Sequence, residues 1–477
     1  MRRVVPLGWG MLGIGAIALT LRLWHLGDPT ALVFDEVYYV PFALNYLQGT
    51  PSFDAHPPLA KYLIALGLWL GQWPAAWLDW PQLEVDGLLV SPLAYRWLNA
   101  LVGASIPVLL AALALALSEG YSPQRRRTFA LLAGLLMTTE GLTLVESRLA
   151  LINIYGLALG LLGQWAWIRA GRSQHPSRWR WLASIALGAA INVKWNWAGF
   201  WLGLLLWDVL ISDGEAPHPK SRSLRERDFE DLSSSPSPLR RRGWACSLLP
   251  AGWDNPWRKR VAYLGVIPMV TYLLLWLPHL ALTGESLLGI HRQLWSTHQS
   301  IAANASHDYC SPWYSWPIMA RPVAYFFERS GQGATAIATT IHAMGNPVLW
   351  WLSTAAVLAL TLAWLARRLP VGAQHAAPLP PHAVVPFILL NYLANWLPWA
   401  LVSRCTFLYH AMGMVAFSAL GLAWLMAQWW QNPRDRPLAL LLLGAIALSF
   451  WFWLPLYLGL PLSPASLQQR WLLPGWI

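Results

Sequence analysis

The chain has 477 residues, of which 56% are hydrophobic and only 12% charged, against the roughly 25% charged typical of soluble domains. Apolar stretches of about 20 residues recur along its whole length, which argues against a soluble protein and for membrane-spanning helices. The net charge of +11 sits in short clusters between apolar runs, so the positive-inside rule explains it better than nucleic-acid binding does.

In chain order, Arg2 and Arg3 place the start on the cytoplasmic side, and a first helix over about residues 5–26 crosses outward. No small-residue cleavage site follows before Asp35-Glu36, so this helix is expected to be retained. The next marker, Arg125-Arg126-Arg127, also belongs inside, yet two apolar stretches (59–78 and 95–117) lie between. Only one of them can then span. The first holds Pro74 and the tryptophans Trp69, Trp73 and Trp77, and is expected to lie along the outer interface. Residues 128–168 form an out-and-back pair. Residues 182–211 must also cross twice, although two full spans need about 20 residues each. That pair is expected to be short or broken, with Lys194 near its turn.

Residues 212–260 are rich in Ser and Pro, with 10 Lys and Arg against 7 Asp and Glu. They read as a disordered cytoplasmic insert between an N-terminal catalytic module (1–211) and a C-terminal module (261–477) whose outer loop spans 283–345. The sum is an all-α polytopic protein of about eleven transmembrane helices, with the outer interfacial helix and no internal repeat. Of the three cysteines, Cys310 and Cys405 both fall outside, where pairing is open to them; buried free thiols are the expectation.

Most polar residues in apolar context fall on the outer side: Asp35, Glu36, Asp54, His56, Lys61, Arg96, Glu146, Arg148, Lys194, His291, Gln293, His298, His307 and Arg404. Ionisable groups near membrane helices are costly and tend to mark a site. Blander readings stand beside this one: a solvated turn for Asp35-Glu36, an interfacial anchor for Arg96, snorkelling for Lys194, and a structural ion pair for Glu146 and Arg148. The three histidines His291, His298 and His307 lack the i, i+4 spacing of helical metal ligands. The sequence therefore requires no metal, although a divalent cation (Mg or Mn) held by Asp35 or Glu36 stays open.

Phe34-Asp35-Glu36 and then Phe53-Asp54-Ala55-His56-Pro57-Pro58-Leu59-Ala60-Lys61 carry a specific resemblance. The chain resembles the protein O-mannosyltransferases of bacterial type, which have an Asp-Glu pair after the first helix and a Phe-Asp-x-His-Pro-Pro-Leu-Gly-Lys element; Ala60 replaces the glycine. Tyr95-Arg96-Trp97-Leu98-Asn99, Glu146-Ser147-Arg148, Asn192-Val193-Lys194-Trp195-Asn196, Ser311-Pro312-Trp313-Tyr314-Ser315-Trp316-Pro317 and Arg404-Cys405-Thr406-Phe407-Leu408-Tyr409-His410 resemble further family elements in the same order. Two departures are the missing outer MIR insert, also missing in bacterial members, and Tyr409-His410-Ala411-Met412-Gly413, where the family has Tyr-His-Tyr-Leu-Pro.

The resemblance implies a C-type glycosyltransferase fold and inverting transfer of mannose from a polyprenyl-phosphate-mannose donor to Ser/Thr hydroxyls of a protein acceptor. It also implies a plasma (inner) membrane location with the site facing the periplasm, contact with membrane lipid and with the secretion translocon, and no nucleic acid. A hydroxyl is a poor nucleophile and needs a base. Asp35 suits that role, with Glu36 orienting or supporting. The leaving phosphate gains charge, and fixed cations stabilise it. Arg96, Lys194 and Arg404 are the candidates, with His56 and Gln293 bonding sugar or phosphate oxygens. A lipid or polysaccharide acceptor is the alternative. A transporter is disfavoured because no inverted halves are visible.

Overall fold

The structure, a computed structural model, describes residues 6–210, 255–304, 307–332, 335–368 and 384–476. Arg2-Arg3 and the Ser/Pro-rich insert up to residue 254 lie outside them. Helix α1 spans Leu7–Leu23, α2 Glu36–Gln48 and α3 Leu59–Trp77; a hairpin follows (β1 Leu83–Val85, β2 Leu88–Val90), then α4 Pro92–Leu117. Proline opens α4, α5 (Pro123–Thr138) and α8 (Pro176–Val193), where its missing N–H costs nothing. Glu140 opens α6 (Gly141–Arg148), its carboxylate accepting from the N–H groups of Leu142 (3.0 Å) and Thr143 (2.7 Å). The step from α5 to α6 bends by 58°. Helices α7 (Asn153–Ala170) and α9 (Ala198–Leu210) complete the first half.

After residue 254 come α10 (Trp257–Thr283), α11 (Leu287–Asn304), an antiparallel hairpin (β3 Val323–Ser330, β4 Ile337–Ala343), α12 (Pro347–Arg368), α13 (Val384–Trp396), α14 (Met412–Gln431), α15 (Arg436–Leu458) and the short α16 (Pro464–Gln468). The architecture is thus mostly helical, and the two hairpins are an addition to the all-α expectation. Among the described residues six helices are long and apolar enough to cross a membrane, or seven if bent α5–α6 counts as one. The apolar stretch of α14 is 94% buried against 28% for α15, so α14 is a central helix and α15 faces outward to lipid.

Helices from either side of the insert pack together, α14 on α5 and α13 on α9. Small residues permit the closest approaches: a Cβ on Gly203 of α9 would lie 2.2 Å from Oδ1 of Asn391 on α13. Inside the bundle, Gln164 Nε2 donates to Asn391 Oδ1 and to the Phe200 carbonyl, tying α7 to α9 and α13. Cys310 and Cys405 form a disulfide, with Cα atoms 5.3 Å apart. This corrects the expectation of free thiols. Neighbouring Ser311 and Thr406 reinforce it: the Ser311 N–H donates to the Thr406 carbonyl and the Thr406 hydroxyl to the Ser311 carbonyl, both at 2.7 Å.

Candidate active site

The connections α1–α2, α6–α7, α8–α9, α10–α12 and α13–α14 gather at one end of the bundle. Lys194 marks the break between α8 and α9; its extended backbone (φ −165°, ψ 138°) interrupts the helix, as the span lengths required. Its ammonium is buried, 3.4 Å from Nε2 of His410 and 5.4 Å from the centre of the Tyr409 ring. His410, whose following residues depart from the family pattern, thus stands beside the lysine.

Asp35 occupies the N-cap position of α2, directly after Phe34, whose backbone is left-handed (φ +53°). No described residue donates a hydrogen bond to the Asp35 carboxylate. Burial pushes this carboxyl up to about 6; the Lys194 charge pulls it down and the Asp54 charge adds to the rise. Asp35 and Lys194 therefore act on one another. Tyr39, one helical turn along α2, and Tyr409 feel the Asp35 charge too.

A cavity of about 550 Å³ extends from Lys194 between α9, α11 and α13. His56, Lys194, Asn196, His298, Asn395 and Arg404 line its polar part; Trp201, Leu202, Pro398 and Leu401 line an apolar part. The Arg404 guanidinium makes no hydrogen bond or ion pair with a described residue. His56 sits with its ring 5.9 Å from that of His298, and its carbonyl accepts from Lys61 at 2.7 Å. Lys61 is itself paired with Asp54. Burial, then the charges of Lys194 and Lys61, hold the His56 imidazole well below its usual range, so it is neutral and offers one donor and one acceptor.

Other residues singled out from the sequence have partners within the protein or lie away from the cavity. Glu36 and Arg96, both wholly buried, pair with each other at 2.7 Å and 2.8 Å. Arg96 spends its remaining donors on the carbonyls of Leu26, Pro29 and Ala31, and Glu36 accepts from the N–H groups of Val33 and Ala150. The pair staples the first loop, which carries Asp35, to α4. Gln293 is exposed and lies outside the cavity lining, which α11 supplies instead through Trp295, His298 and Gln299. Glu146 and Arg148 do not pair. Arg148 donates to the carbonyls of Leu21 and Arg22 at the end of α1 and of Trp24 and His25 just beyond it, and Glu146 accepts from the Tyr325 hydroxyl and from Asn153 Nδ2. Among the described residues no group of three His, Cys, Asp or Glu side chains is placed to hold a metal ion.

Tyr39, Tyr325, Asn196 and Asn395 were not singled out from the sequence. Tyr39 had a signal, the i, i+4 spacing from Asp35 that puts both on one helix face; Tyr325 sits on a strand and had none.

Two family models match the chain in succession. One, described as dolichyl-phosphate-mannose-protein mannosyltransferase, covers residues 13–283; the other, the C-terminal four TMM region of protein-O-mannosyltransferase, covers 283–476. Among curated relatives, the polyprenol-phosphate-mannose–protein mannosyltransferase of Mycolicibacterium smegmatis is 26% identical over 98% of this chain and 93% of that protein. The Mycobacterium tuberculosis protein of the same name is 24% identical over 98% and 91%. Among solved structures, the S. cerevisiae protein O-mannosyltransferase Pmt1-Pmt2 complex bound to the sugar donor superimposes with a TM-score of 0.77 at 14% identity, covering 100% of this chain and 93% of that one.

Proposed function

The chain belongs to the dolichyl-phosphate-mannose-protein mannosyltransferase family, and from that premise we propose that it moves mannose from a polyprenyl-phosphate carrier to Ser/Thr hydroxyls of exported proteins, on the outer face of the cell membrane. The observation that carries this reading is the buried Lys194 at the head of a cavity that runs from polar to apolar, with the Asp35 carboxylate near enough for the two charges to act on one another and without a hydrogen-bond donor among the described residues. In this reading Asp35 accepts the proton of the acceptor hydroxyl as its oxygen attacks the anomeric carbon. The bond from that carbon to the phosphate oxygen breaks, and the polyprenyl phosphate departs with the electron pair. One displacement inverts the configuration. Lys194 and Arg404 face the growing negative charge, where fixed cations lower the barrier because they bind the transition state more tightly than the ground state. Neutral His56 donates to a sugar or phosphate oxygen. Glu36 and Arg96 hold the loop that carries Asp35.

We read the chain as crossing the membrane eleven times: six apolar helices, bent α5–α6, and the shorter or more polar α1, α7, α8 and α9. Helix α3 packs on α2, on the end of α8 and on the start of α4, where its glycines Gly67 and Gly71 abut Leu98 and Ala94 and Trp97 donates to the Gly67 carbonyl at 2.9 Å. Such a crossing suits a helix lying along the interface. The Cys310–Cys405 disulfide supports an outer position for the site, since such bonds persist in oxidising compartments. Unfolded acceptors would reach that face from the secretion translocon.

The test is transfer of labelled mannose from polyprenyl-phosphate-mannose to a Ser/Thr peptide in membranes. Label is expected in the protein fraction with the wild type and none with Asp35→Asn. Activity surviving that substitution removes Asp35 as the base, and label confined to lipid would assign a different acceptor.

A further inference from the structure

We propose that Tyr325 is a positioning residue for Asp35, acting through the ring of Phe34, so that the hairpin β3–β4 of the C-terminal half sets the geometry of a base carried by the N-terminal half. The inference rests on the reading of Asp35 as the base.

Phe34 adopts φ +53°, a left-handed conformation that a bulky side chain enters only when its surroundings hold it there. Glycine would sit there without strain. The structure shows what the phenylalanine ring does instead. It lies flat on the Tyr325 ring, with centroids 3.9 Å apart and planes 11° from parallel, and meets Tyr409 edge-on at 6.0 Å. Offset stacking and edge contacts of this kind fix ring orientation. Because Phe34 directly precedes Asp35 at the start of α2, its φ and ψ aim the carboxylate.

Tyr325 is fixed in turn. It is 6% exposed, and its hydroxyl donates to Glu146 Oε1, while Glu146 Oε2 accepts from Asn153 Nδ2 at 3.1 Å. The strand carrying it pairs with β4 on both sides of a bulge at Tyr325, through Ala324 with His342 and Phe326 with Ile341, and β4 is pinned by a two-way backbone bridge between Ala338 and Leu462. A continuous mechanical path therefore runs from the second hairpin, through one stacked ring, to the backbone that presents Asp35. The mechanism does not otherwise use Tyr325 or Glu146.

The experiment compares Tyr325→Phe, Tyr325→Leu, Phe34→Gly and Asp35→Asn in the labelled-mannose assay with the full-length protein in membranes, measuring kcat and the KM for the lipid donor separately. Tyr325→Phe keeps the stack and is expected to retain most of the wild-type kcat. Tyr325→Leu and Phe34→Gly lose it and are expected to drop kcat about 10- to 100-fold with donor KM unchanged, the scale of loss for a reacting group displaced by about an ångström. Phe34→Gly relieves the left-handed strain but also empties the place of a packed ring, so kcat is taken per folded protein, with the folded amount measured by thermal unfolding in detergent. Wild-type kcat in Phe34→Gly or Tyr325→Leu, or a loss confined to donor KM, overturns the proposal. Activity in Asp35→Asn overturns the base assignment itself, whatever the other variants do.

Discussion

At the scale of single residues, the sequence displays charges but not their partners. Asp35, His56, Lys194 and Arg404 stood out as polar groups in apolar context, and the structure gathers them at one end of the bundle. Arg96 and Glu36 stood out for the same reason, yet they neutralise each other. Nothing in a linear sequence distinguishes a cation waiting for a phosphate from one already engaged by residues sixty positions away. The difference is testable. Arg96→Ala leaves the Glu36 carboxylate buried without its counter-ion, a change that typically costs about 3–5 kcal/mol. Thermal unfolding in detergent is expected to show that loss, with no selective rise in donor KM. Lys194→Gln is expected to leave the fold intact and lower kcat about 10²- to 10³-fold, as removal of a transition-state donor does. The pH profile follows from Asp35. A base must be unprotonated to act, and its carboxyl is raised to about 6 by burial. The rate is therefore expected to be level above neutrality and to fall on acidification through about pH 6, approaching about tenfold per unit in the acid limb. A profile still level at pH 5 would remove this residue from the proton transfer.

At the scale of elements, span arithmetic located the break at Lys194, because 30 residues are too few for two complete crossings. The same arithmetic was silent on β3–β4. Residues 323–330 do carry a strand signal, a run of Val, Tyr and Phe, but it is short and lies in a long segment without periodicity between apolar stretches, so it reads as loop. Interhelical fit is also invisible in one sequence: Gly71 looks like any glycine in an apolar helix. In the structure a Cβ there would lie 2.6 Å from Ala94 Cα and 2.7 Å from its carbonyl oxygen, and backbone does not yield readily. Gly71→Ala is expected to destabilise by about 1–3 kcal/mol, the range for an overpacked contact. Gly265→Ala, whose Cβ would meet nothing within 4 Å, serves as the control and should melt with the wild type.

For the whole molecule, positive charge and parity together predict an order of crossings, and the family elements fall in sequence along the chain. Orientation in the membrane is open to direct measurement. In intact cells Glu84→Cys, exposed on the first hairpin, is expected to react with an impermeant thiol reagent. Gln124→Cys, exposed at the start of α5, is expected to react only after the membrane is opened; the reverse pattern would turn the protein over. The size of the cavity beneath Lys194 has a consequence for which carriers are used. About 550 Å³ is room for a drug-sized ligand, enough for a hexose phosphate and the first isoprene units. The rest of the tail would stay dissolved among the acyl chains, unmeasured by the protein. Carriers truncated to a few isoprenes should then turn over as readily as the long natural ones, provided they still partition into the bilayer.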